Sequence, residues 1–148
     1  MNKVGPHQLI RMEFKFNKRK ELESNVLIED KHIARFISTE HVGVLATPYM
    51  IGFMENTSRL LLEEHLPEGY TSVGTDVCVK HLAAAPRGAN LRVYAKILDH
   101  EDRNVTFAVE ATWGDKKVGE GTHTRFIVNK ERFLSRLKVL SEESSQRM

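Results

Sequence analysis

Thr47-Pro48-Tyr49-Met50-Ile51-Gly52-Phe53-Met54, running on through Glu55 to His65, is the stretch on which the fold turns. A hydroxyl residue followed by proline opens a helix well. Threonine serves as an N-cap, and proline gives up no intrahelical bond at the first helical position. Pro67 and Gly69 mark the other end, which predicts a helix over 47–65. Its first two turns are apolar nearly all round. A helix lying on a surface keeps one polar face, so this one is expected to be buried on most sides. Its later turns, with Arg59, Glu63 and Glu64, are amphipathic.

Downstream of Gly69 the apolar period changes to two. Val73, Thr75, Val77, Val79 and His81 share one parity, as do Leu91, Val93, Ala95 and Ile97, and again Val105, Phe107, Val109 and Ala111. A fourth run covers roughly 117–128. Pro86-Arg87-Gly88, Glu101-Asp102-Arg103-Asn104 and Trp113-Gly114-Asp115 separate the runs as turns. Connections this short join antiparallel neighbours, which predicts a four-strand meander. Phe133, Leu137 and Leu140 predict a C-terminal helix over 130–140, with a fraying tail from Ser141.

Upstream, Met12, Phe14 and Phe16 alternate over residues 11–18 and predict an edge strand. Leu22, Val26 and Ile28 fit a short strand or an irregular segment. Ile33, Phe36 and Ile37 have the spacing of a short helix. The class is α+β: one apolar central helix and a sheet that must curve around it. A single sheet of this length leaves one flank of such a helix bare, and dimerisation is one way to cover it.

Composition sets further bounds. The 148 residues fit one domain, and 41% hydrophobic with 28% charged residues is ordinary globular usage. A balance of 22 basic and 20 acidic residues gives +2, too even for a protein whose main partner is a nucleic acid backbone. Cys78 is the only cysteine, so no intrachain disulfide forms. No run of about 18 apolar residues predicts a membrane span, and residues 1–16 lack the apolar core of a signal peptide. A cytoplasmic location is the expectation.

Three polar residues sit in apolar company. Thr47 opens the helix, Glu55 follows its apolar block at about 80° around the axis, and His81 closes an alternating strand. A hydroxyl, a carboxylate and an imidazole make an acid/base set, and Glu55 and His81 converge if that strand covers the helix. Each also has an ordinary reading: Thr47 as a helix cap, Glu55 on a solvated side or a dimer seam, His81 as a satisfied core histidine. No His-x-x-x-His pair or Cys/His ladder is present, so no metal is expected. Gly-x-Ser-x-Gly, Walker and dinucleotide motifs are absent as well. Gly119-Glu120-Gly121 lies inside a strand pattern and marks a bulge or a close backbone approach.

From Val44 to Phe133 the sequence resembles the hotdog-fold thioesterases, in the branch typified by fluoroacetyl-CoA thioesterase. The matching segments are Val44-Leu45-Ala46-Thr47, Met50-Ile51-Gly52-Phe53-Met54-Glu55, Ser72-Val73-Gly74-Thr75, Cys78-Val79-Lys80-His81, Ala83-Ala84-Ala85-Pro86-Arg87-Gly88 and Gly119-Glu120-Gly121-Thr122-His123-Thr124-Arg125. The resemblance implies a single hotdog domain over 1–148 and an acyl-CoA substrate hydrolysed without metal or cofactor. It also implies a homodimer with active sites at the interface, with a dimer of dimers as the further possibility. The family's catalytic residues fall on Thr47, Glu55 and His81. Gly74 falls where a backbone N–H approaches the acyl group, Lys80 and Arg87 on CoA phosphate contacts, and Arg125 on a family arginine that is structural or binds substrate. The nucleophile stays open between Thr47, Glu55 and water. One departure concerns the aromatic lid that precedes this segment in the fluoroacetate-specific enzyme. Ser38-Thr39-Glu40-His41-Val42-Gly43 has no Phe or Tyr there, which points to general short- or medium-chain acyl-CoA hydrolysis.

Overall fold

The computed structural model describes residues 13–147. In chain order they form β1 (Glu21–Leu27), a 3-10 turn (Asp30–His32), α1 (Thr47–Glu63), β2 (Tyr70–His81), β3 (Asn90–Glu101), β4 (Asn104–Trp113), β5 (Lys116–Asn129) and α2 (Lys130–Arg147). The strands make one antiparallel sheet in the order β1-β3-β4-β5-β2, and α1 packs against it. The α+β class read from the sequence is the class observed.

The buried positions of α1 are Met50, Met54, Thr57, Ser58, Leu61 and Leu62, the stripe of a helix that turns one side to a core. Opposite lie Leu91, Val93, Ala95 and Ile97 of β3 and Val105, Phe107, Val109 and Ala111 of β4, all buried. Each large side chain in this layer stabilises the fold by about 1.5–3 kcal/mol on burial. The two buried hydroxyls are satisfied within the helix, Thr57 donating to Phe53 O and Ser58 to Met54 O. The expectation that α1 is buried on most sides is not met within one chain. Tyr49 and Leu60 are exposed, and Ile51 and Phe53 only half-buried, because the sheet covers a single side.

The hairpins form as read. Gly114 at φ 61° and Asp102 at φ 52° supply the positive backbone angles that two-residue hairpin connections need. The β2–β3 connection differs. Residues 82–89 are no hairpin; β2 pairs with β5, at the sheet margin opposite β1. This longer connection is held from outside, with Leu45 N–H donating to Ala85 O, Arg87 N–H to Gly43 O and Gly88 N–H to Ile28 O. Partner choice is thus set by non-local bonds and not by the Pro86-Arg87-Gly88 turn.

A second correction concerns parity. In β2, Gly74 pairs with Arg125 and Asp76 with Thr124, so Thr75 is an extra residue, a β-bulge. The bulge shifts the phase. Gly74, Val77, Val79 and His81 share the face toward α1, and Val73 and Thr75 drop out of the set. Gly121 lies across from Val79, where an added Cβ would stand 2.1 Å from Cys78 O. This is the close approach read from the glycine pair.

Upstream, residues 13–20 are not a strand, and Met12 lies outside the described residues. Phe16 is nonetheless buried, stacked on His100, and Phe14 meets the edge of Tyr70. The alternation reflects anchoring without a strand partner. The short helix predicted near 30–37 reduces to the 3-10 turn, with Phe36 91% exposed. At the other end α2 continues to Arg147 without fraying at Ser141 and buries no residue.

Candidate active site

The N-cap of α1 is Ala46, which places Thr47 and Pro48 inside the first turn. The Thr47 hydroxyl therefore does not cap the helix. It lies 2.7 Å from Nδ1 of His81, in hydrogen-bonding range. The end of β2 brings the ring there because the bulge turns His81 toward α1. The other ring nitrogen, Nε2, is buried with no partner among the described residues, and a buried polar atom left open calls for a ligand or water. An open cleft of about 720 Å³ borders the pair, lined by Ile33, Phe36, Ile37, Thr47, His81 and Ala83 among others. Residues 38–43 hold no Phe or Tyr, as read; Phe36, two residues earlier, stands at the wall of the cleft.

Glu55 stands further along α1 in a second cluster. Its Oε2 is 4.0 Å from Nη1 of Arg125, which is only 6% exposed. A Cβ placed on Gly74 would fall 2.7 Å from the same Oε2 and 3.2 Å from His123 Cε1. The carboxylate thus occupies the space that glycine leaves empty. Arg125 is locked from β2, donating through Nε to Ser72 Oγ at 2.7 Å and through Nη2 to Ser72 O at 2.8 Å. Glu55 makes no hydrogen bond to Thr47 or His81. Within one chain the three residues form a Thr47–His81 pair and a separate Glu55–Gly74–Arg125 cluster.

The remaining predicted residues lie elsewhere. Lys80 points to the opposite face of the sheet, beside a cavity of about 400 Å³ with Cys78, Tyr94 and Glu120. Arg87 donates from Nη1 to Glu40 O and from Nη2 to Thr39 O, and its Nη2 is 3.3 Å from Asp30. These bonds tie the 38–43 loop to the β2–β3 connection.

Sequence reading did not single out His123. It is 1% exposed and sits between Arg125 Nη1, at 3.2 Å from its Nε2, and Asp76 O, at 2.8 Å from its Nδ1. Its inward parity with Gly121 and Arg125 was the available signal. Burial pushes the ring below the usual histidine value of 6.5; Arg125 acts in the same direction, while the bond to Asp76 O and the charges of Glu55 and Asp76 oppose the shift. The unfolded chain thus binds a proton at pH values where the folded chain does not. The associated stability is complete above about pH 6.5 and is lost as pH falls from there through the lower folded value. The melting temperature is expected to drop as pH falls below about 6.5, and His123→Phe to flatten that slope. An equal slope in the variant would assign the effect to another group.

This architecture, a helix wrapped by a five-strand antiparallel sheet, is the hotdog fold of thioesterases. A Thermus thermophilus hypothetical protein of the thioesterase superfamily superposes with a TM-score of 0.77 at 28% identity, over 87% of this chain and 96% of that one. The fluoroacetyl-CoA thioesterase FlK superposes at 0.76 with 26% identity, over 84% and 97%. The class is thus a hotdog thioester hydrolase. The family model of FlK, fluoroacetyl-CoA-specific thioesterase, matches residues 28–131. The fluoroacetyl-CoA thioesterase of Streptantibioticus cattleyicolor is 35% identical over 99 residues, 67% of this chain and 71% of that protein. The chain belongs to the fluoroacetyl-CoA-specific thioesterase family.

Proposed function

We propose that the protein hydrolyses short- or medium-chain acyl-CoA thioesters to the free acid and CoA. The observation that carries this reading is the 2.7 Å contact between Thr47 Oγ1 and His81 Nδ1 at the wall of an apolar cleft. A hydroxyl is a weak nucleophile until an adjacent base takes its proton. In the proposed sequence Thr47 Oγ attacks the thioester carbonyl as its proton passes to His81. The tetrahedral intermediate expels the CoA thiolate, which receives that proton. Glu55 then takes a proton from water, whose oxygen attacks the acyl-threonine ester; the ester C–O bond to Thr47 breaks, the acid leaves, and the proton held by Glu55 returns by way of solvent to the Thr47 oxygen, restoring both side chains.

The catalytic unit in this reading is a homodimer. One observation supports it: among the described residues the outer margin of β2 is unpaired, with residues 74–78 exposed. An unpaired strand margin favours pairing with another chain, and a second protomer on that side adds walls to the space between Thr47 and Glu55.

The test is thiol release from fluoroacetyl-, acetyl-, butyryl-, hexanoyl- and octanoyl-CoA, with the oligomeric state measured by sedimentation. Hydrolysis of several members is expected, with preferences of about 10- to 200-fold per change in the acyl group, the range that an apolar pocket supplies. Turnover of fluoroacetyl-CoA alone would overturn the substrate range. A folded dimer releasing no thiol from any member would overturn the reading in favour of an acyl-CoA binder.

A further inference from the structure

We propose that His123 is a positioning residue: its ring ties the β2 bulge to Arg125 and holds the guanidinium back from Glu55, leaving that carboxylate free to act. The inference rests on the proposed function, because it assigns Glu55 a task in catalysis.

The bonding pattern dictates the state of the ring. A carbonyl oxygen only accepts, so His123 Nδ1, 2.8 Å from Asp76 O, carries the hydrogen. Nε2 is then a bare acceptor, and Arg125 Nη1 at 3.2 Å donates to it. Both polar ends of a 1% exposed ring are thereby used. One end holds Asp76, the residue at which register resumes after the bulge that follows Gly74. The other holds the single arm of Arg125 that faces Glu55.

The remaining arms of Arg125 are bound to Ser72. Nη1 carries two hydrogens: it donates to His123 Nε2 at 3.2 Å and stands 4.0 Å from Glu55 Oε2. A charge-assisted contact between guanidinium and carboxylate normally closes to about 2.7–2.9 Å. Here it stays open, and the bond to His123 anchors Nη1 at the distance that keeps it open. Without that acceptor, Arg125 closes on Glu55 and draws the carboxylate away from the space over Gly74. The ring also packs on Phe107 at 6.2 Å between centroids, so an apolar ring of similar size fills its place while removing both hydrogen bonds.

The experiment measures kcat and KM on an acyl-CoA that the wild-type protein hydrolyses. His123→Phe is expected to lower kcat by about 10- to 100-fold, the effect of a small misplacement of a catalytic group, with little change in KM. His123→Gln, whose amide reaches the Nε2 position, is expected to recover most of kcat. His123→Asn reaches only the Nδ1 position and is expected not to. In an Arg125→Met background His123→Phe should cost little more, since groups acting as a unit are not additive. Wild-type kcat in His123→Phe, better rescue by Asn than by Gln, or additive losses would each overturn the proposal. A wild-type protein inactive on every acyl-CoA would instead defeat the thioesterase reading. The Arg125–Glu55 distance in a crystal structure of His123→Gln and His123→Phe decides the positioning role separately. Closure to a direct ion pair in His123→Phe alone supports the role, and an unchanged gap in both refutes it.

Discussion

Glu55→Gln is expected to lower steady-state acyl-CoA hydrolysis by about a thousandfold, within the range that a positioned acid or base contributes. The amide keeps the volume of the side chain and its place over Gly74, so the change isolates the charge and the basicity. The Glu55 side chain is 40% exposed but stands 4.0 Å from the buried Arg125, so thermal unfolding measured beside the kinetics separates stability lost with the counter-charge from catalysis lost. The time course carries the mechanistic content. If Thr47 is the nucleophile and Glu55 activates water for the second step, the variant should release about one thiol per site in a rapid burst and then stall. A thousandfold loss without a burst would instead place Glu55 in the attack on the thioester. Wild-type turnover would remove Glu55 from the mechanism.

Gly74→Ala is expected to cost about a hundredfold in kcat, the penalty of displacing a catalytic group by about an ångström, while the protein stays folded. The new methyl would lie 2.7 Å from Glu55 Oε2. That oxygen ends a flexible side chain that can swing toward solvent, so the strain is relieved at the expense of catalysis and not of stability. The two substitutions should therefore not add: in a Glu55→Gln background Gly74→Ala has little left to remove. Thermal unfolding alongside the kinetics checks both halves. A variant of unchanged activity would show that the carboxylate does not act from this position.

The central helix and the β3–β4–β5 hairpins were legible because local periodicity and turn chemistry determine them. Thr47-Pro48 opened the helix, and Gly114 and Asp102 closed the turns. What local pattern does not encode was not legible. The partner of β2 depends on bonds from Leu45 and Gly43 to a distant connection. The bulge at Thr75 leaves no trace in the alternation, which reads unbroken from Val73 to His81. Phe14 and Phe16 alternate like a strand and are held by Tyr70 and His100 without one. Residue type alone did not separate Thr47, Glu55 and His81 from ordinary core and cap residues; the resemblance to a family singled them out. His123 escaped notice because an inward histidine in a strand is usually packing, and its meaning lies in the bonds to Asp76 and Arg125.

The bulge also says where this strand tolerates a change in length. An inserted or deleted residue elsewhere in β2 would turn every later side chain to the wrong face, carrying His81 away from Thr47. Thr75 is already surplus to the pairing, since Gly74 and Asp76 meet the consecutive partners Arg125 and Thr124. A chain lacking it would keep Gly74 and His81 facing inward on a regular strand. Residue 75 is thus the place in β2 where the strand can lose a residue and leave both halves of the site in phase.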